Sequence, residues 1–199
     1  MNVALVTGAS GLLGSELVKQ LVDNDFFVYG QYYNNKPSNL DRVKWIYGDF
    51  TNLTSLRKFI EENKNNIAKS SYFINCYGPI TYKNIKSLET EDFENDFFSN
   101  VLVPVEITNF LLHIKNPVIK SVINIGFELS GKFVPVSNVL SYLMAKNALY
   151  EYSISLAKAY PKINFNMVSL PTLVGANVPS KTGKVTTPKN VAKSIIKLF

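Results

Sequence analysis

NVALVTGASGLLGSELVKQLVDN, residues 2–24, carries the chain from a short apolar strand through a glycine-marked turn into a helix. Leu13, Leu17 and Leu21 recur every four residues on one helical face, whereas VALV has the near-continuous apolar character of a strand buried on both sides. Between them stand Gly8, Gly11 and Gly14. Gly8 suits the tight turn, Gly11 lets backbone approach a diphosphate, and Gly14 lets helix pack close on strand. The first amides of the helix and its dipole would attract that anion. The same glycines also suit a ligand-free strand-to-helix turn, but their place directly after a strand and before a helix favours a nucleotide.

Outward from this unit the alternation repeats. FFVYGQY, VKWIYGDF, SSYFINCYG, IKSVINIGF and INFNMVSLP read as further strands. NLTSLRKFIEENKNN reads as a helix, as do a long segment from about Thr90 to His113 and a segment around Tyr142 ended by Pro161. Thr187 and Pro188 read as the cap and first position of a last helix. Such alternation predicts an α/β fold: a doubly wound parallel sheet of about six strands with helices on both faces. Ligands of such sheets sit at the carboxyl ends of the strands, where the strand order reverses.

The 199 residues suffice for one domain with a substantial core. With 46% hydrophobic and 18% charged residues, the composition is that of a globular protein and not of a disordered one. No long uncharged apolar run suggests a membrane span, and the first strand begins at Asn2, leaving no room for a signal peptide. The location expected is therefore cytoplasmic. One cysteine, Cys76, and one histidine, His113, exclude an internal disulfide and an ordinary thiolate/imidazole zinc site. The net charge is +6, and after Glu151 the chain has no acid while Lys158, Lys162, Lys181, Lys184, Lys189, Lys193 and Lys197 follow. These lysines read as a solvated surface or as a field drawing anionic ligands, and no Arg-rich or aromatic-interleaved tract points to nucleic acid.

An acid near the end of the second strand usually binds the adenosine ribose of NAD, but here that strand ends YGQYYNNK, and Asp23 and Asp25 lie at its other end. A 2′-phosphate would meet no repulsion there, and Lys36 or Arg42 is placed to pair with it, which favours NADP over NAD.

Together these motifs resemble the short-chain dehydrogenase/reductase family over nearly the whole chain. TGASGLLG looks like its cofactor turn, in the spacing of the extended branch, whose members often act on nucleotide sugars. The resemblance assigns cofactor contacts to Gly8, Ser10, Gly11, Leu12, Leu13 and Gly14, and to Asp49 and Phe50 in GDFTN. NCYG supplies Cys76, Tyr77 and Gly78, with tyrosine where the family has alanine; SLPTLVG supplies Pro171 and Thr172, with threonine where it has glycine. Asn100 matches the helical asparagine that holds a proton-relay water, and YLMAK fits Tyr-x-x-x-Lys.

Tyr142 and Lys146 are four apart and so share a helical face. An ammonium beside a phenol stabilises phenolate and moves the phenol toward neutral pH. By the resemblance Lys146 also binds the nicotinamide ribose. The family serine after strand five is missing: Gly126, Phe127 and Glu128 stand in its place, and Ser130 is the substitute if the loop bends differently.

The resemblance thus implies that residues 1–199 form one NAD(P)-binding domain. It would be an NADP-dependent oxidoreductase acting on a carbonyl or alcohol carbon of a small anionic substrate, either a nucleotide sugar or an acyl-carrier conjugate. It also implies a homodimer or homotetramer built on the two long helices bearing Asn100 and Tyr142. The alternative, raised by the missing serine and the short tail, is a weakly catalytic NAD(P)-binding sensor or assembly protein.

Overall fold

The structure, a computed structural model, describes residues 1–199 except 35–36, 133, 177–178 and 181–182. Six parallel strands form the central sheet: β1 (Val3–Thr7), β2 (Phe27–Tyr32), β3 (Val43–Tyr47), β4 (Tyr72–Asn75), β5 (Ser121–Phe127) and β6 (Asn164–Leu170). Their order is β3-β2-β1-β4-β5-β6, so the winding reverses between β1 and β4. Both the parallel sheet and its six strands match the sequence reading. A separate parallel ladder pairs β7 (Thr172–Leu173) with β8 (Val185–Thr186).

The pleat of β1 divides the core. Ala4 and Val6 face one side, where α1 (Leu12–Asp23) and α6 (Pro188–Ile196) bring Leu13, Leu17, Leu21, Val191 and Ile195. Leu5 faces the other side, with Leu56, Phe59 and Ile67 from α2 (Leu53–Ile67). There too lie Ile107 and Leu111 from α4 (Val103–His113), and Leu156 from α5 (Leu140–Ala159) packs against the same cluster. Thr187 caps α6, its side chain accepting from Asn190 N–H at 3.2 Å with Pro188 in the first turn.

The segment read as one helix from Thr90 to His113 is three pieces. α3 (Thr90–Phe97) runs into a π-helical turn, Phe98–Leu102, before α4 resumes. Pro104 supplies the reason: it has no N–H to give the carbonyl four residues back, that of Asn100. The chain widens instead, and Val103 N–H donates to Phe98 five residues earlier.

Candidate active site

At the carboxyl ends of β1 and β4 the glycine turn is closed by contacts too tight for any side chain. Gly8 has φ +61°, and a Cβ on Gly14 would lie 2.1 Å from Gly8 O. The turn is tied to β2: Gly8 N–H donates to Gln31 Oε1 at 2.8 Å, Ala9 N–H donates to Gln31 O, and Gln31 Nε2 donates to Gly48 O at 2.7 Å. Gln31 is buried, which explains an uncharged side chain there; its type gives no signal of this role in the sequence. Beyond the turn, Ser15 N–H is bonded to Gly11 O, leaving the amides of Leu12, Leu13 and Gly14 as the unsatisfied first donors of α1.

Two hollows meet here. One of about 270 Å³ is lined by Gly8, Ser10, Gly11, Gln31, Tyr33 and Tyr77, among others. The second, about 390 Å³, includes Leu12, Leu13, Ile80, Phe127, Tyr142 and Pro171 in its lining. Cys76 and Gly78 line both, and Thr172 lines the second. The donors of a helix start, the glycine cradle and this continuous trough fit a dinucleotide.

At the inner end of the trough the predicted polar residues converge. Lys146 is buried; its Nζ donates to Ile125 O at 2.8 Å and lies 5.4 Å from the centre of the Tyr142 ring. A Cβ on Gly78 would meet Asn100 Oδ1 at 2.4 Å and Lys146 Nζ at 3.1 Å, so amide oxygen and ammonium aim at the same glycine. Asn100 Nδ2 is held by Pro79 O and Asp96 O, both at 3.1 Å. Its Oδ1 is buried and has no partner among the described residues, nor has Nδ2 of Asn75 at the end of β4.

Burial drives Lys146 down to about 8, opposed by the nearby Cys76 thiol and Asp96 carboxylate. Burial likewise pushes Cys76 up to about 12, with Lys146 opposing. Tyr142 is raised, first by burial and then by Asp96. The expected lowering of the phenol by Lys146 is therefore absent in this geometry. The ammonium faces the ring, and the phenol is a protonated acid at neutral pH.

Other predicted residues fall elsewhere. Ser130 does not line the cleft: its Oγ accepts from Phe127 N–H at 3.0 Å, turning the hydroxyl back into its own turn. Phe127 lines the cleft instead and packs edge-on to Tyr142, 5.8 Å between centres. Arg42 is at the amino end of β3, far along the strand from the site, with Nη1 2.6 Å from Asp25 Oδ1. It is thereby removed as a phosphate partner. Lys36 lies outside the described residues. Asp49 Oδ1 accepts from Thr51 N–H at 2.9 Å, and the side chain lines a separate hollow with Tyr47, Ser55 and Lys58. Phe50 is core, edge-on to both Phe59 and Tyr77, and its carbonyl accepts from Tyr77 Oη at 3.2 Å. Tyr77 thus fills the family's alanine position with an inward-packed ring.

Comparison with known proteins identifies the family. A model of the short chain dehydrogenase family matches residues 2–184, and the chain belongs to that family. It is accordingly an oxidoreductase that acts on CH–OH or C=O groups with NAD(P). No curated protein matches the sequence. Among solved structures, a short chain dehydrogenase family protein from Francisella tularensis subsp. tularensis SCHU S4 superposes with TM-score 0.83 at 20% identity, covering 100% of this chain and 90% of its own. A 4-hydroxyisoleucine dehydrogenase complexed with NADH gives 0.84 at 17% identity, covering 100% and 90%. A short-chain dehydrogenase/reductase from Serratia marcescens BCRC 10948 gives 0.79 at 18%, covering 99% and 89%. At these identities the likeness is one of fold.

Proposed function

We propose that residues 1–199 act as one NADP-dependent reductase of a carbonyl group, with Tyr142 as proton donor. The observation that carries this reading is the half-buried Tyr142 phenol on the wall of the trough, with Lys146 and Asn100 behind it. NADPH, when bound there, would supply the hydride. The amides of Leu12, Leu13 and Gly14 and the glycine turn would hold its diphosphate, while Lys146 and Asn100 would hold the ribose and the relay water. Tyr142 gives its proton to the developing alkoxide, a role that suits a phenol kept protonated by burial.

Support for NADP over NAD is the absence of an acid at the end of β2, where Gln31 and Tyr32 stand. Among the described residues the substrate end of the trough carries no charge, and the exposed Lys189 and Lys193 lie off its lining. This arrangement favours a substrate whose reacting end is apolar and whose anionic handle stays outside, as in an acyl-carrier conjugate or, less directly, a nucleotide sugar. Leu102, Met144 and Ile154 are exposed apolar residues on the helices of Asn100 and Tyr142, and they support self-association there as a dimer or tetramer. Light scattering of the purified protein reads that directly. No helix among the described residues is long and apolar enough to cross a membrane.

The decisive experiment is NADPH oxidation over a carbonyl panel. Tyr142→Phe is expected to lose at least ~10²-fold in turnover while binding NADPH as wild type does. Equal rates in the two proteins would remove Tyr142 from the chemistry, and tighter binding of NADH than NADPH would overturn the cofactor preference.

Phe127 in the serine's place and the inward Ser130 hydroxyl favour a second reading, a nucleotide-binding sensor or assembly protein with little turnover. Tight NADPH binding by wild type with no turnover on any carbonyl is its signature.

A further inference from the structure

Asp96, at the end of α3, is a carboxylate only 2% exposed. Burying an acid is costly unless donors surround it, and donors do. Its Oδ2 accepts from Ser141 Oγ at 2.6 Å and its Oδ1 from Thr81 Oγ1 at 3.1 Å. Thr81 N–H donates as well. Ser141, itself fully buried, directly precedes Tyr142. The backbone of Asp96 completes the link, since its carbonyl accepts from Asn100 Nδ2 at 3.1 Å. One residue therefore joins the loop after β4, the π-turn that carries Asn100, and the first turn of α5.

We propose that Asp96 is a positioning residue of the reaction centre, locking the Tyr142 turn to the Asn100 turn and setting a fixed negative charge against the Lys146 ammonium. The proposal rests on the reading of Tyr142 and Lys146 as the reacting pair. The ionisable groups facing Lys146 are Cys76 from the end of β4, Asp96 from α3 and Tyr142 on its own helix. Facing Asp96, besides Lys146 and Tyr142, is Asp92, whose charge is met by Lys83 at 2.8 Å. Asp96 is thus the one carboxylate among the described residues whose charge bears on both Lys146 and Tyr142. Its charge opposes the burial that lowers Lys146 and adds to the burial that raises Tyr142, while burial raises its own carboxyl and the Ser141 and Thr81 hydrogen bonds hold it down.

The test needs no substrate. Isotope-labelled lysine gives an NMR titration of Lys146, its signal assigned by loss in Lys146→Met. In Asp96→Asn, which keeps size and one of the two acceptor oxygens while removing the charge, the Lys146 midpoint should fall by about one pH unit. In Ser141→Ala, which leaves the charge in place, it should stay within a few tenths, while kcat for carbonyl reduction falls and Ser141→Thr restores it. An unmoved midpoint in Asp96→Asn overturns the proposal. So does a wild-type Asp96 carboxyl, followed by its labelled carbon, that is still protonated at pH 7, a measurement independent of whether any variant folds. Absence of turnover on every carbonyl would instead defeat the proposed reaction and leave the Lys146 titration standing.

Discussion

Phe127 shows how one side chain sets the chemistry available. Its ring stands edge-on to Tyr142 on the cleft wall, in the stretch where the family resemblance leads one to expect a serine hydroxyl on the substrate carbonyl. Ser130, the substitute suggested by spacing, is occupied by Phe127 N–H. On the proposed reading Tyr142 then meets the developing oxyanion without that serine, and a missing donor of this kind costs about 10²–10³ in rate. Phe127→Ser should therefore raise carbonyl reduction by at least ~10-fold, measured as kcat/KM on the best carbonyl of the panel. Unchanged kcat/KM would place residue 127 outside the substrate's reach. Ser130→Ala, by contrast, removes a hydrogen-bond acceptor from a buried amide, so it should cost about 1 kcal/mol of fold stability and little turnover.

The helix from Thr90 to His113 makes the same point one level up. Its apolar periodicity is legible in the sequence, as are the strands and the glycine turn, because each is a repeating pattern fixed by local geometry. The π-turn inside it is not periodic. Its one sequence signal is Pro104, four residues after Asn100, and that signal gains meaning only once the helix is known to continue past it. For the same reason Tyr142, Lys146 and Asn100 could be placed by motif, whereas Gln31 and Asp96 could not: burial turns an ordinary polar side chain into a clamp, and burial is a property of the assembled core. Pro104→Ala would return an N–H to Asn100 O and allow an ordinary helical turn. Stability should then hold within about 1 kcal/mol or rise, while NADPH-dependent turnover drops ~10-fold or more as Asn100 rotates off Gly78. Full activity in that variant would show that the wide turn has no part in placing Asn100.

Across the whole molecule, the buried groups of the site tie folding to pH in a defined order. Lys146 releases its proton near 8 in the folded chain but near its ordinary 10.5 when unfolded. Between those values the unfolded chain binds more protons, so stability from this residue rises with pH. Cys76 works oppositely: its ordinary value of 9.0 rises to about 12, so from 9 upward the folded chain holds a proton that the unfolded chain loses, and stability falls. Tyr142, also raised by burial, adds to that fall above its ordinary 10.0. Stability should thus climb between pH 8 and 9, level off from about 9 to 10 while Lys146 and Cys76 oppose each other, and decline above about 10 as Tyr142 joins Cys76. At pH 7 the fold carries the burial cost of the Lys146 ammonium, roughly 3 kcal/mol at 1.36 kcal/mol per unit. That figure is net of the attraction to Asp96, and about 1 kcal/mol of hydrogen bonding to Ile125 O offsets it further. Lys146→Met, of similar length and uncharged, should therefore be more stable than wild type by ~1 kcal/mol at pH 7 while losing turnover. Its stability should lack the climb between pH 8 and 9, and denaturant unfolding of both proteins across pH 7–11 reads all three expectations. A variant less stable at pH 7, or one that keeps the climb, would mean that the Lys146 charge is not desolvated in the folded protein.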